Sequence, residues 1–164
     1  ASAVGMPGAT FDRADMRHLS RDGEFDAAFC FGNSFGYFSD EGNLAFLESV
    51  RRAVRPGGVV VLESRLVAEV LFPQFQARRW FRFADSIMFT EASYDPAGSV
   101  LTNEYSFLRD GVLDRKPAQF RIYPYRELLD LTRSAGFMLV QSHGSLEFEP
   151  FGLGSSAAYL VLRR

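Results

Sequence analysis

Residues 25–64 constrain the fold more than any other stretch of the chain. "FDAAFCF" (25–31) is apolar except for Asp26, and "VVVLES" (59–64) is a second short apolar run. Runs of that length fit strands covered on both faces, as in a parallel sheet. Between them Leu44, Leu47, Val50 and Val54 recur at helical spacing, so one stripe of a helix faces a core. Ser39 or Asp40 can cap its amino end, Asp40 and Glu41 suit the positive end of its dipole, and Pro56-Gly57-Gly58 stops it. Strand, helix, tight turn and strand make a βαβ unit, with parallel strands and a right-handed crossover expected.

The flanking segments extend this α/β pattern. Residues 11–15 read as a short strand that follows a turn at Gly5, Pro7 and Gly8. From 78 to 123 aromatic and β-branched runs alternate with turn signals at Asp95-Pro96-Ala97-Gly98 and at Arg109-Asp110-Gly111. That predicts a three-stranded antiparallel meander inserted into the α/β unit. "YRELLDLTRSAGF" predicts a helix with Leu128, Leu131 and Ala135 inward and Gly136 at its carboxyl cap. Residues 137–142 and 157–162 predict two closing strands. With 164 residues, 47% of them hydrophobic, a single domain is expected over 1–164.

Charge and cysteine usage exclude several classes of function. A net charge of −2 leaves no electrostatic footprint for nucleic acid. Cys30 is the only cysteine, so an intramolecular disulfide and a cysteine zinc cluster are both excluded. Its neighbours in sequence include no basic group, which favours a core thiol over a nucleophile. His18 and His143 are too few and too separated for a metal site. A reducing, cytoplasmic setting is the default expectation, with no membrane partner, because no apolar run approaches a membrane span.

The order of motifs resembles the class I S-adenosylmethionine-dependent methyltransferases. "RADM" (13–16), "FDAAFCFGNSFGYF" (25–38), "VRRAVRPGGVVVLES" (50–64) and "YRELLDLTRSAGF" (125–137) match in combination. The meander followed by "RIYPYREL" (121–128) resembles the subgroup with an antiparallel insert, which includes small-molecule and sugar-amine N-methyltransferases. The resemblance implies a Rossmann-like sheet, S-adenosylmethionine as cofactor and a small-molecule methyl acceptor. Such enzymes open with a strand ending in a Gly-rich loop and a second strand ending in a ribose-binding carboxylate. Gly5 and Gly8 do not read as that loop, so the chain resembles the carboxyl-terminal two-thirds of the family's domain. Weak cofactor binding, or none, is then expected of this chain by itself. An open hydrophobic edge on the 25–31 strand is also expected, and with it homo-oligomerisation through that edge.

The resemblance implies roles residue by residue. Asp15 and Met16 would touch the adenine, the carboxylate accepting from the exocyclic amine and the thioether packing on the ring. Phe31, Gly32, Asn33 and Ser34 would face the methionine end of the cofactor and the acceptor. In an open α/β sheet, ligands bind outside the carboxyl ends of the parallel strands, where these residues fall. Methyl transfer from a sulfonium needs alignment and, for some acceptors, proton removal, so no large catalytic motif is expected. Tyr37, Arg121 and Tyr123 are candidates on the acceptor side, with Arg65, Trp80, Glu104 and His143 behind them. Aromatic residues on strands usually pack, and Arg121 can instead pair with Glu104. A non-catalytic binding or assembly module with the same fold is the alternative reading.

Overall fold

The computed structural model describes residues 9–164, and the turn expected at Gly5, Pro7 and Gly8 lies outside them. The βαβ unit is present as β1 (Phe25–Cys30), α1 (Asp40–Ala53) and β2 (Val54–Ser64). β1 and β2 are parallel, with Ala27 opposite Val59 and Cys30 opposite Leu62. Ser39 supplies the amino cap, its hydroxyl oxygen accepting from Gly42 N at 3.3 Å. β2 begins at Val54, ahead of the Pro56-Gly57-Gly58 turn, which becomes a bulge where the β1–β2 register shifts. Gly58 is required there, because a Cβ would lie 2.7 Å from the Asp26 carbonyl oxygen.

The antiparallel insert has one strand more than the sequence suggests. β3 (Arg78–Phe83), β4 (Ser86–Asp95), β5 (Val100–Arg109) and β6 (Val112–Arg121) form a four-stranded sheet in that order. The first run of the expected three-stranded meander is itself a hairpin, folded at Ala84-Asp85, with Phe83 opposite Ser86. Ala84 takes a left-handed φ of 45° without the glycine that normally announces such a turn. A short helix, α2 (Ala68–Leu71), links the two sheets. Beside it Leu101, Phe120 and Ile122 form a small second core.

The chain closes with α3 (Tyr125–Ser134), β7 (Met138–His143) and β8 (Ala158–Arg163). Gly136, at a φ of 85°, makes the left-handed exit from α3. The first sheet has the order β1-β2-β8-β7, with β8 antiparallel to both neighbours. β1, β2 and β7 therefore run in one direction, and their carboxyl ends share one rim. Leu47 of α1, Leu128 of α3, and Leu62 and Leu160 of the sheet are buried together in the main core.

Two expectations about the first strands are corrected. Residues 11–15 form no strand: they run exposed into a 3-10 turn, Met16–His18, which the Asp15 carboxylate caps by accepting from Arg17 N at 2.9 Å. A local side-chain bond of that kind competes with strand pairing. β1, in turn, is not covered on both faces. Ala28 and Cys30 pack toward the core, but Phe25 is 45% and Phe29 76% exposed, and among the described residues β1 pairs only with β2. Among the described residues β1 is thus an edge strand with exposed aromatic side chains. No helix among the described residues is long and apolar enough to cross a membrane.

Candidate functional site

The chain leaves β1 through two successive left-handed residues, Gly32 at a φ of 73° and Asn33 at 56°. Gly and Asn are the residue types that adopt this conformation at least cost. Two bonds fix the turn to the end of β2. Gly32 N donates to Glu63 Oε2 at 2.6 Å, and Asn33 Oδ1 accepts from Arg65 N at 2.9 Å. Ser34 Oγ donates to the Phe31 carbonyl at 2.8 Å, closing the turn on itself. Asn33 thus spends its carbonyl on structure, and its Nδ2 makes no hydrogen bond to a described residue. The turn itself is already held.

Glu63 anchors this rim. It is buried at the end of β2, where its second oxygen meets Arg65 Nε at 3.3 Å. Burial, helped by the Glu63 charge, pushes the Cys30 thiol up to about 11. A thiol held in that form is a poor nucleophile, in keeping with a packing role.

The turn separates two cavities. On one side lies a groove of about 550 Å³ bounded by Met16, Phe31 and Ser34, and by Cys30, Phe46 and Leu47 of the core. On the other lies a cavity of about 440 Å³ between the rim and the inner face of the four-stranded sheet. Asn33 and Arg65 line it from the rim, and Arg79, Asn103 and Tyr105 line it from the sheet. Asp15 sits beside the groove without lining it. Arg17 donates to both its carboxylate oxygens, at 3.0 and 2.7 Å, and these bonds hold its carboxyl far below the usual range. Leu19 N donates to the buried Ser49 Oγ at 2.8 Å, tying this segment to α1.

The acceptor-side candidates disperse. Arg121 and Tyr123 form a cluster with Asp40 and Asn43. Tyr123 Oη donates to Asp40 Oδ1 at 2.7 Å and accepts from Asn43 Nδ2 at 3.1 Å. Arg121 Nε also meets Asp40, at 2.9 Å, and its guanidinium stacks 4.5 Å from the Tyr123 ring centroid. Burial and the Asp40 bond raise the Tyr123 phenol well above its ordinary value, so it stays protonated. Arg121 pairs with Asp40 and Glu127, while Glu104 pairs with Arg115. Tyr37 packs edge-on against Phe120 and lines a third cavity with Asp40 and Arg121. Trp80 and Glu104 lie on strand positions that alternate with the inward Arg79 and Tyr105, hence on the outer face of the insert. His143 reaches the shared rim, its ring nitrogens contacting the Phe148 carbonyl and Gln141 Oε1.

Glu63, Arg79, Asn103 and Tyr105 were not among the site residues expected from the sequence. Glu63 carried a signal: it is a charge ending an otherwise apolar strand. The other three are recognisable only once β3 is known to pair with β4, which puts Arg79 across Thr90 from Tyr105.

Comparisons with known proteins agree with this architecture. Residues 1–58 match the family model described as a methyltransferase domain. The S-adenosylmethionine-dependent methyltransferase from Clostridium acetobutylicum superposes with a TM-score of 0.77 at 13% identity, over 92% of this chain and 62% of that one. CalS10, an amino pentose methyltransferase from Micromonospora echinaspora, superposes with a TM-score of 0.67 at 17% identity, over 97% and 66%. The fold is that of the class I methyltransferases. The glycine/sarcosine/dimethylglycine N-methyltransferase of Actinopolyspora halophila is 27% identical over 144 residues, 85% of this chain and 24% of that protein. The chain therefore spans about a quarter of that relative's length and somewhat under two-thirds of the first of these structures.

Proposed function

We propose that this chain serves S-adenosylmethionine-dependent methyl transfer to the amine of a small molecule. The observation that carries this reading is the Gly32-Asn33 turn, pinned by Glu63 and Arg65 at the carboxyl rim of the parallel strands with a cavity on either side. The residues suit the cofactor. Met16 and Phe31 offer an apolar groove to a flat ring, Asp15 is an ionised acceptor beside it, and the turn keeps side chains back from the ligand. Asn33 Nδ2 and Ser34 are the polar groups nearest the methionine end. The bound group supplies an electrophilic methyl. The chain's own part is to fix the acceptor in line, exclude water and leave the attacking nitrogen unprotonated. Support for an amine comes from the N-methyltransferase and the amino pentose methyltransferase to which the chain is similar.

The 164 residues by themselves bind the cofactor weakly, because they offer no Gly-rich loop or ribose carboxylate of the family's pattern. Calorimetry with S-adenosylhomocysteine tests this, and micromolar binding would overturn it. A second reading, an assembly module, is favoured by the β1 edge, unpaired among the described residues with Phe29 exposed, and by the outward Trp80. In this reading that edge pairs with another copy. A stable, well-folded monomer in sedimentation would remove this reading.

A further inference from the structure

We propose that the cavity facing the four-stranded sheet holds a carboxylate of the acceptor, with Arg79 as its principal partner. Two guanidiniums, Arg65 and Arg79, line this cavity, and no Asp or Glu among the described residues does. Arg65 is partly neutralised by Glu63 at 3.3 Å. Its sheet-side counterpart, Arg79, makes no ion pair with a described residue, whereas the adjacent Arg78 meets Glu91 at 2.9 Å on the opposite face. The cavity therefore carries an unbalanced positive charge between walls of Leu66, Leu71 and Leu101. Arg65 and Arg79 are both solvent-exposed, so their hold on a carboxylate rests on paired hydrogen-bond geometry more than on an enclosed field.

The neutral groups are arranged to match. Asn103 Nδ2 donates to Tyr105 Oη at 2.9 Å, which leaves the phenolic hydrogen free to donate onward. Tyr105 and Arg79 lie on the same face, one strand apart across Thr90. A guanidinium and a phenol on one face form a donor pair for a carboxylate, which accepts bidentate bonds from arginine. Asn33 lines the opposite wall, at the rim where the methyl group would be offered. An acceptor held at Arg79 by its acid end thus presents its amine end to Asn33. This deepens the methyl-transfer reading and rests on it for the word acceptor; the anion site stands on the cavity's charge.

The test is a calorimetric and NMR titration of the chain with acetate and with acetamide, its neutral isostere. Saturable acetate binding is expected, with acetamide weaker by about tenfold or more, the size of one charge-assisted bond. Arg79→Gln should abolish the preference, Arg79→Lys should keep part of it, and Arg78→Gln should leave it intact. Equal binding of the two probes, or equal losses in R78Q and R79Q, would overturn the proposal. S-adenosylhomocysteine is titrated alongside to separate the two claims. Acetate selectivity at Arg79 without millimolar binding of that compound at the rim keeps the anion site and removes only the weak cofactor site placed at Met16 and Phe31–Ser34; the converse removes the anion site alone.

Discussion

Glu63 is expected to be the residue on which the geometry of the rim depends. Replacing it with alanine removes the acceptor of the 2.6 Å bond from Gly32 N and leaves Arg65 without its carboxylate. A hydrogen bond to a buried charged group contributes roughly 1.5–3 kcal/mol. The Arg65 contact adds little, about 0–1 kcal/mol, because that guanidinium is 60% exposed and screened by solvent. Relief of the buried carboxylate's desolvation offsets part of the loss, so Glu63→Ala should cost about 2 kcal/mol. Glu63→Gln keeps a neutral acceptor for Gly32 N and should cost about 1 kcal/mol. Urea unfolding followed by tryptophan fluorescence reads both values, and hydrogen exchange reads the Gly32 amide directly. That amide should exchange faster in E63A than in E63Q, and faster in E63Q than in the parent. Unchanged Gly32 exchange in E63A, with a stability loss below about 0.5 kcal/mol, would refute the anchoring role.

Leu160→Ala, on a central strand with no exposed surface, should destabilise the chain by about 2–5 kcal/mol in the same assay. Cys30, pushed up to about 11, should react slowly with an aromatic disulfide reagent near pH 8. The thiolate fraction falls roughly a hundredfold and the stronger nucleophile recovers about eightfold, so the folded chain should react about tenfold more slowly than the urea-unfolded one. Because the folded thiol holds its proton more tightly than the unfolded one, stability should also fall as pH rises through the range between their two values. Asp15 has the opposite sign. Its folded carboxyl is held low by Arg17, so its contribution is present above the unfolded carboxylate value and lost as pH falls through the folded one. Arg17→Ala should raise the Asp15 midpoint toward about 3.9, read by carboxyl-carbon NMR.

The βαβ unit was legible in the sequence because its signals agree. The Ser39 cap and the Leu44–Leu47–Val50 stripe point to one helix, although it ends at Ala53 and the expected Pro56-Gly57-Gly58 stop lies inside β2. The 84–85 turn was not legible, since Ala84-Asp85 lacks the residue types that mark a hairpin and the aromatic pattern continues across it. Residues 11–15 read as a strand from their place after a turn, but Asp12, Ala14 and Asp15 are poor strand formers and pairing is a tertiary property that local sequence does not encode. The turn at 31–34 was readable from its small and polar residues, whereas its attachment through Glu63 and Arg65 spans about thirty residues of chain. Arg79 became visible as a cavity residue only through the register of β3 on β4.

The most direct test of the central claim is a shift-mapping titration with S-adenosylhomocysteine at millimolar concentration. A methyl-donor site at the rim predicts saturable amide shifts clustered at Met16 and at Phe31 through Ser34, with the Asn33 side-chain amide among them. Shifts absent from that cluster, or concentrated on the outer face around Trp80 and Phe89, would contradict it.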